Sequence, residues 1–162
     1  MTTPVISRRI NDSMPAYSVG RIDDALRHAR PGIQADQLKI AVLGIAFKND
    51  TSDCRISPTK PAIEALIRQG YTLSIHDPLV DHADARMVTD LPLEASLDYA
   101  MEGADCVAFF AGHSVFAALT PEDIARRAAP GAVVFDGRMF FSRDFINDLR
   151  SLGLTYVGVG RS

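Results

Sequence analysis

Apolar residues follow two different periods along this chain. Runs such as "LKIAVLGIAF" (38–47) and "DCVAFFAG" (105–112) are almost continuously apolar, which is typical of strands covered on both faces. Other stretches, such as "SPTKPAIEALIRQG" (57–70), repeat apolar residues every three or four positions and are predicted helices. The alternation of the two patterns predicts an α/β fold, a doubly wound, Rossmann-like, mostly parallel sheet of about six strands.

The pattern also divides the chain into segments. Residues 1–12 are expected to be a loose leader, and residues 13–37 one amphipathic helix with its linker. The α/β domain is predicted over residues 38–162. Within it, "ARMVTDL" (85–91) is expected to form a short strand, and "LTYVGVG" (154–160) the last one.

Candidate chemistry lies where predicted strands end. Ligands of open α/β sheets bind beyond the carboxyl ends of the strands, and three polar loops begin there: 46–58, 111–116 and 136–140. The first loop has Gly44 but no G-x-G-x-x-G turn, so we do not expect it to bind NAD in the usual Rossmann way.

Cations in these loops suggest an anionic small molecule. Lys48 can act as a point charge, and Arg55 and Arg138 supply forked donors. A purely structural alternative is equally compatible with the residues, in which Asp53 and Arg55 form a bracing ion pair and Lys48 is solvated. His113 is expected to be a hydrogen-bonded loop histidine rather than a general base, because no nucleophile accompanies it.

The amino-acid composition argues against several classes of binding partner and site. The chain is 47% hydrophobic and 23% charged with a net charge of −3, which argues against nucleic-acid and anionic-membrane partners. Its two cysteines have no metal-ligand spacing with the four histidines, so no metal is expected and a reducing cytoplasmic location is favoured. No apolar run approaches the roughly 20 residues of a membrane span.

Five segments together resemble a known family, the UDP-glucose/GDP-mannose dehydrogenases, in their C-terminal UDP-binding domain. The family's order of elements is matched by "RRINDSMPAYSVGRI", "KIAVLGIAFKNDTSDCRISP", "YTLSIHDP", "ADCVAFFAGHSVF" and "VVFDGRMF". The first of these is similar to the end of the family's central helical dimerisation domain. Taken in order the motifs are specific, although each alone is weak.

The resemblance implies a role for four residues. Phe47, Lys48 and Arg138 would contact the nucleotide sugar, and Arg55 would approach NAD held by another domain. The implied ligand of this chain is therefore UDP or a UDP-sugar, used in the biosynthesis of polysaccharide precursors.

The resemblance also implies what this chain alone does not do. The family's NAD-binding turn and catalytic cysteine loop have no counterpart in these residues, so we expect no catalytic residue, no bound cofactor and no oxidation by this chain alone. Two alternatives stay open. One is an interaction module that self-associates, or docks to a dehydrogenase, through the helix at 13–30. The other is an enzyme with altered chemistry at Arg55, His113 or Arg138.

Overall fold

Five short strands form a single parallel sheet in the computed structural model, which describes residues 3–46, 50, 52, 54 and 57–158, with side chains from residue 16 onward. The strand order is β2-β1-β3-β4-β5. In chain order the strands are β1 (Lys39–Leu43), β2 (Thr72–His76), β3 (Cys106–Phe109), β4 (Val133–Asp136) and β5 (Thr155–Gly158). The predicted α/β class and doubly wound arrangement are confirmed.

Helices cover both faces of the sheet. In chain order they are α1 (Thr3–Ala29), α2 (Thr59–Arg68), α3 (His82–Ala85), α4 (Leu97–Met101), α5 (Ser114–Ala117), α6 (Pro121–Arg127) and α7 (Arg143–Ser151). Helices α1 and α2 pack on one face, and the core of the opposite face receives side chains from α4, α5, α6 and α7. No described helix has the length and apolar character needed to cross a lipid bilayer.

The sheet has one strand fewer than predicted. The segment 85–91 begins as the end of α3, because the side chain of Asp81 accepts the Asp84 N–H and starts a helix. Pro92 follows, and proline cannot donate to a strand ladder. Beyond that proline, and outside the predicted segment, a single parallel bridge joins Ile75 and Leu93.

Helix α1 begins at Thr3, so most of the expected leader is helical. Proline at position 4 suits a first helical turn, where its missing N–H has no partner to lose. The buried side of the helix consists of Val19, Ile22 and Leu26, each at most 3% exposed. These residues pack in the same core as α2 and the sheet.

Polar contacts also bind the second half of α1 to the domain. Arg21 donates to the carbonyl of Gly158 at 3.0 Å, and the Tyr71 hydroxyl donates to Asp23 at 2.5 Å. From residue 16 onward, the apolar face of this helix, which was expected to need a partner, is covered by its own domain.

Candidate functional site

The loops that follow β1, β3 and β4 meet at one edge, because these strands are neighbours in the sheet. The ladder continues one residue past each strand: Phe110 N–H donates to Leu43 and Gly137 N–H donates to Phe109, both at 2.9 Å. The three polar loops picked out from the sequence are thus brought together at the carboxyl edge.

Gly44 lets the first and second loops approach each other. Its φ is +88°, and a Cβ atom there would lie 2.6 Å from the Cβ of Ala111. Such a contact is too short for any side chain, so glycine is required for packing between the loops.

Asp136 shapes the third loop. Its carboxylate is fully buried and accepts the backbone N–H groups of Arg138, Phe140 and Phe141 at 3.1–3.3 Å. The Tyr156 hydroxyl also donates to it, at 3.1 Å. The aspartate therefore folds the "DGRMFF" segment into a tight turn that carries Arg138.

Arg138 lies at the edge as predicted. Its Nε donates to the carbonyl of Phe110 at 2.8 Å, which joins the loops after β3 and β4. The side chain remains exposed, although partial burial of its guanidinium lowers the pKa below the usual arginine value. Arginine stays protonated under such a shift, so a cation is held at this point.

Asp77 fixes the beginning of the first loop. It follows β2, is 4% exposed, and its Oδ2 accepts the N–H groups of Ile45 and Ala46 at 2.8 and 3.2 Å. Its Oδ1 accepts the Leu79 N–H at 2.9 Å. Burial raises the pKa of this carboxyl, but the hydrogen bonds from His113, Leu79 and Ile45 outweigh burial and hold it below its usual value.

His113 connects Asp77 to the far end of that loop. The side chain is fully buried; Nε2 lies 3.0 Å from Asp77 Oδ2, and Nδ1 accepts the backbone N–H of Asp50 at 2.7 Å. Because a backbone N–H can only donate, Nδ1 must be unprotonated and Nε2 carries the hydrogen. The geometry therefore requires the neutral Nε2–H tautomer, and the hydrogen-bonded loop histidine is confirmed.

Asp50 completes the connection. It adopts φ +58°, a left-handed conformation that aspartate tolerates better than most residues. Its carboxylate accepts the Ser114 N–H at 2.7 Å and the Ser114 hydroxyl at 2.8 Å. These two bonds, the backbone one first, hold the pKa of Asp50 below its usual value.

The remaining predicted site residues, Phe47, Lys48 and Arg55, lie outside the described residues, so their roles stay predictions. Among the described residues, the carboxylate of Asp50 binds Ser114. Sequence reasoning missed the Asp50–His113–Asp77 connection. The only available signal was a polar residue at or near the end of each of three predicted strands.

Both cysteines are buried and neither forms a disulfide. Burial raises the pKa of the Cys106 thiol, which keeps it a protonated core residue. Among the described residues, no three histidine, cysteine, aspartate or glutamate side chains are grouped so that they could hold a metal ion.

Comparisons with known proteins agree on one family. A model described as "UDP-glucose/GDP-mannose dehydrogenase family, UDP binding domain" matches residues 41–143. The chain is 31% identical over 156 residues to the UDP-N-acetyl-D-mannosamine dehydrogenase of Pyrococcus horikoshii, which covers 96% of this chain and 33% of that protein. It is 30% identical over 170 residues to the UDP-glucose 6-dehydrogenase of Gallus gallus. That match covers 94% of this chain and 32% of the Gallus gallus protein.

A solved structure extends the likeness to three dimensions. The NDP-N-acetyl-D-galactosaminuronic acid dehydrogenase of Methanosarcina mazei Go1 superposes with a TM-score of 0.86 at 29% identity, over 100% of this chain and 32% of that one. The chain spans between a quarter and a third of the length of the curated relatives named above and others like them.

Proposed function

Since the chain belongs to the UDP-glucose/GDP-mannose dehydrogenase family, through that family's UDP-binding domain, we propose that its carboxyl-edge loops bind UDP or a UDP-sugar. The observation that carries the proposal is Arg138, a cation held at this edge by the Asp136 turn and by the Phe110 carbonyl. Guanidinium groups match the geometry of phosphate oxygens with two parallel donors.

In this assignment the ligand's diphosphate and sugar lie across the loops after β1 and β4. Arg138 supplies a forked donor from β4, and Phe47 and Lys48 contact the nucleotide sugar from the β1 loop. The overall charge of −3 does not oppose this, because a local cation cluster at a sheet edge decides the attraction of a small anion.

NAD does not fit the loop after β1. The only glycine of that turn, Gly44, has the position of its missing Cβ filled by Ala111 at 2.6 Å, so it serves contact between loops rather than approach to a pyrophosphate. We therefore assign no NAD site to this loop. Within a whole dehydrogenase, Arg55 would face NAD held by another domain, and the chain would supply the UDP end of the substrate site.

Calorimetry with UDP and with UDP-glucuronate tests the binding. Arg138→Gln and Lys48→Ala are expected to weaken binding about tenfold each or more, since each removes a charge-assisted contact. The control is Arg126→Gln, an exposed arginine on α6 that pairs with Asp123 and should leave affinity unchanged. Absence of heat at millimolar ligand, or unchanged affinity in both site variants, would overturn the proposal.

Self-association, or docking to a dehydrogenase through the helix at 13–30, is a second candidate function. The apolar residues of this helix from Val19 to Leu26 do not support it, because they pack on the chain's own sheet. Two features favour it: Tyr17 of α1 is exposed, and a groove between α1 and β5 is lined in part by Ala25 and His28. Sedimentation of the chain and of Tyr17→Ser decides it: a monomer in both cases counts against self-association.

We propose a cytoplasmic location, because the two cysteines are buried without a disulfide, which is compatible with a reducing compartment.

A further inference from the structure

Two residues other than glycine have a left-handed backbone in the described part of the chain, and both lie in loops at the carboxyl edge of the sheet. Asp50, in the loop after β1, has φ +58°, and Met139, in the loop after β4, has φ +55°. Aspartate adopts this conformation fairly often, whereas a long side chain such as methionine is rare there. Met139 therefore needs an explanation of its own.

The Asp136 turn imposes this conformation on Met139. The N–H groups of the two neighbouring residues, Arg138 and Phe140, both donate to Oδ1 of Asp136, at 3.1 and 3.3 Å, so the backbone between them curls around a single oxygen. Phe140 is held further by a ring contact with Phe141, whose centroid lies 4.2 Å away. The turn is thus fixed on both sides of Met139, and the strained backbone cannot relax.

The turn itself does not require a methionine at position 139. It is built from backbone N–H groups of neighbouring residues, and the Met139 side chain is 44% exposed. Glycine would adopt the same φ without steric cost, and asparagine with little. The fold alone would therefore be served better by either residue, and backbone strain that the fold does not need is typical of functional sites.

The position of Met139 indicates what its side chain contacts. It directly follows Arg138, to which the proposed function assigns the phosphate oxygens of the ligand. Small-molecule sites are lined mainly by apolar side chains around a few polar groups, and the flexible, polarisable thioether of methionine adapts to irregular apolar surfaces. A nucleotide sugar offers such surfaces on both sides of its diphosphate, namely the carbon-bearing faces of the nucleoside and of the sugar.

We propose that Met139 is a ligand-contacting residue of the carboxyl-edge site, and that its side chain packs on a carbon-bearing face of the nucleotide sugar next to the diphosphate bound by Arg138. The inference rests on the proposed function for its ligand. The left-handed turn then presents a charged and an apolar side chain in succession at the edge. Because the strain lowers stability while the thioether contact raises affinity, substitution at position 139 should change the two in opposite directions.

Three substitutions of Met139 separate the contact from the strain. Met139→Asn and Met139→Gly remove the contact and relieve the strain. Calorimetry should show UDP-glucuronate binding about five- to twentyfold more weakly to both, while their thermal midpoints equal that of the wild type or exceed it by up to about 4 °C. Met139→Leu keeps an apolar side chain of similar volume and should lose no more than about twofold in affinity. A purely structural role predicts instead that affinity stays the same or improves together with stability.

Inorganic pyrophosphate checks that the turn still presents Arg138. This ligand carries charge but no carbon, so all three Met139 variants should bind it as the wild type does, and Arg138→Gln should bind it more weakly. Titration followed by ³¹P NMR is suited to the weak binding expected of so small an anion. Calorimetry with UDP then locates the contact: an equal loss for UDP and UDP-glucuronate places it on the nucleoside, and a loss confined to UDP-glucuronate places it on the sugar.

Leu152→Asn is the matched control for loss of an exposed apolar side chain. Leu152 is 43% exposed, almost as much as Met139, but it lies between α7 and β5, at the amino edge of the sheet. The substitution should leave the affinities for UDP, UDP-glucuronate and pyrophosphate unchanged.

The outcomes distinguish the two proposals. If the wild type binds neither UDP nor UDP-glucuronate, the proposed function fails, and the Met139 contact fails with it. If the wild type binds UDP-glucuronate and the asparagine and glycine variants of Met139 bind it equally tightly, only the Met139 contact is overturned. An equally large loss of pyrophosphate affinity in these variants would also overturn it, because misplacement of Arg138 would then explain the weaker binding.

Discussion

Arg30, just past the end of α1, donates through Nε to Asp105, just before β3, across 3.0 Å. The same guanidinium reaches the carbonyl of Pro130 at 2.7 Å, before β4, while the second Asp105 oxygen accepts the N–H of Lys39 at 3.0 Å. One ion pair therefore joins the helix to the starts of three strands, at the edge opposite the candidate site.

Replacing Arg30 should destabilise the domain. Arg30→Ala removes a half-buried network of charge-assisted hydrogen bonds, and we expect the free energy of unfolding to fall by about 2–3 kcal/mol. Urea denaturation followed by circular dichroism measures the change. Arg27→Ala is the control, since Arg27 is 77% exposed in its pair with Asp23 and should cost below about 1 kcal/mol. Equal losses in the two variants would contradict the assignment.

Gly44→Ala tests the close approach of the first two loops. Gly153 offers a matched comparison, because its φ of +85° is nearly that of Gly44 at +88° but nothing lies within 4 Å of the position of its missing Cβ. Gly153→Ala should lower the free energy of unfolding by about 1–2 kcal/mol, because alanine is strained in the left-handed conformation. Gly44→Ala should lower it clearly more, because the new Cβ atom would also clash with Ala111. Thermal unfolding of both gives the difference, and similar midpoints would argue against the contact.

Acid should remove stability that Asp77 contributes. Because the pKa of this carboxyl is lower in the folded chain than in the unfolded one, its contribution is fully present above the unfolded pKa of about 3.9. It is lost as the pH falls through the folded pKa. Asp77→Asn should therefore be less stable than the wild type at pH 6, with a gap that narrows towards pH 2. A gap that stays constant over this range would rule out the linkage.

The Asp136 turn is expected to affect binding and stability together. In Asp136→Asn one carboxylate oxygen becomes an NH₂ group facing N–H or O–H donors, so we expect a loss of about 1–3 kcal/mol and weaker UDP binding through misplacement of Arg138. Tyr156→Phe removes one donor to Asp136 but none of the turn's backbone bonds. It should cost about 1 kcal/mol and leave calorimetric affinity for UDP unchanged; weaker binding in Tyr156→Phe would show that the turn is not the connection.

Local sequence patterns were sufficient to predict the parallel sheet and the position of Arg138 at its carboxyl edge. Continuous apolar runs identified the five strands, and an arginine two residues after a strand had to lie at its carboxyl edge. The predicted sixth strand does not form. Asp81 caps a helix and Pro92 disfavours a strand, and these two local signals outweighed a short apolar stretch.

Long-range polar contacts could not be predicted in this way. His113 meets Asp50 and Asp77 across separations of 63 and 36 residues, and these contacts exist only after β1, β2 and β3 have become neighbours. Nothing in the sequence around Asp50 indicates that its partner is Ser114 rather than a nearby arginine.

The burial of the Asp77 and Asp136 carboxylates has an electrostatic consequence. Two carboxylates at the strand ends of the proposed UDP site would ordinarily repel a diphosphate. Both are nearly or fully buried, and each is surrounded by donors whose positive ends oppose its field. At short range the Arg138 guanidinium is exposed to an arriving anion while these two carboxylates are not, and UDP capture should weaken with rising ionic strength because salt screens that attraction.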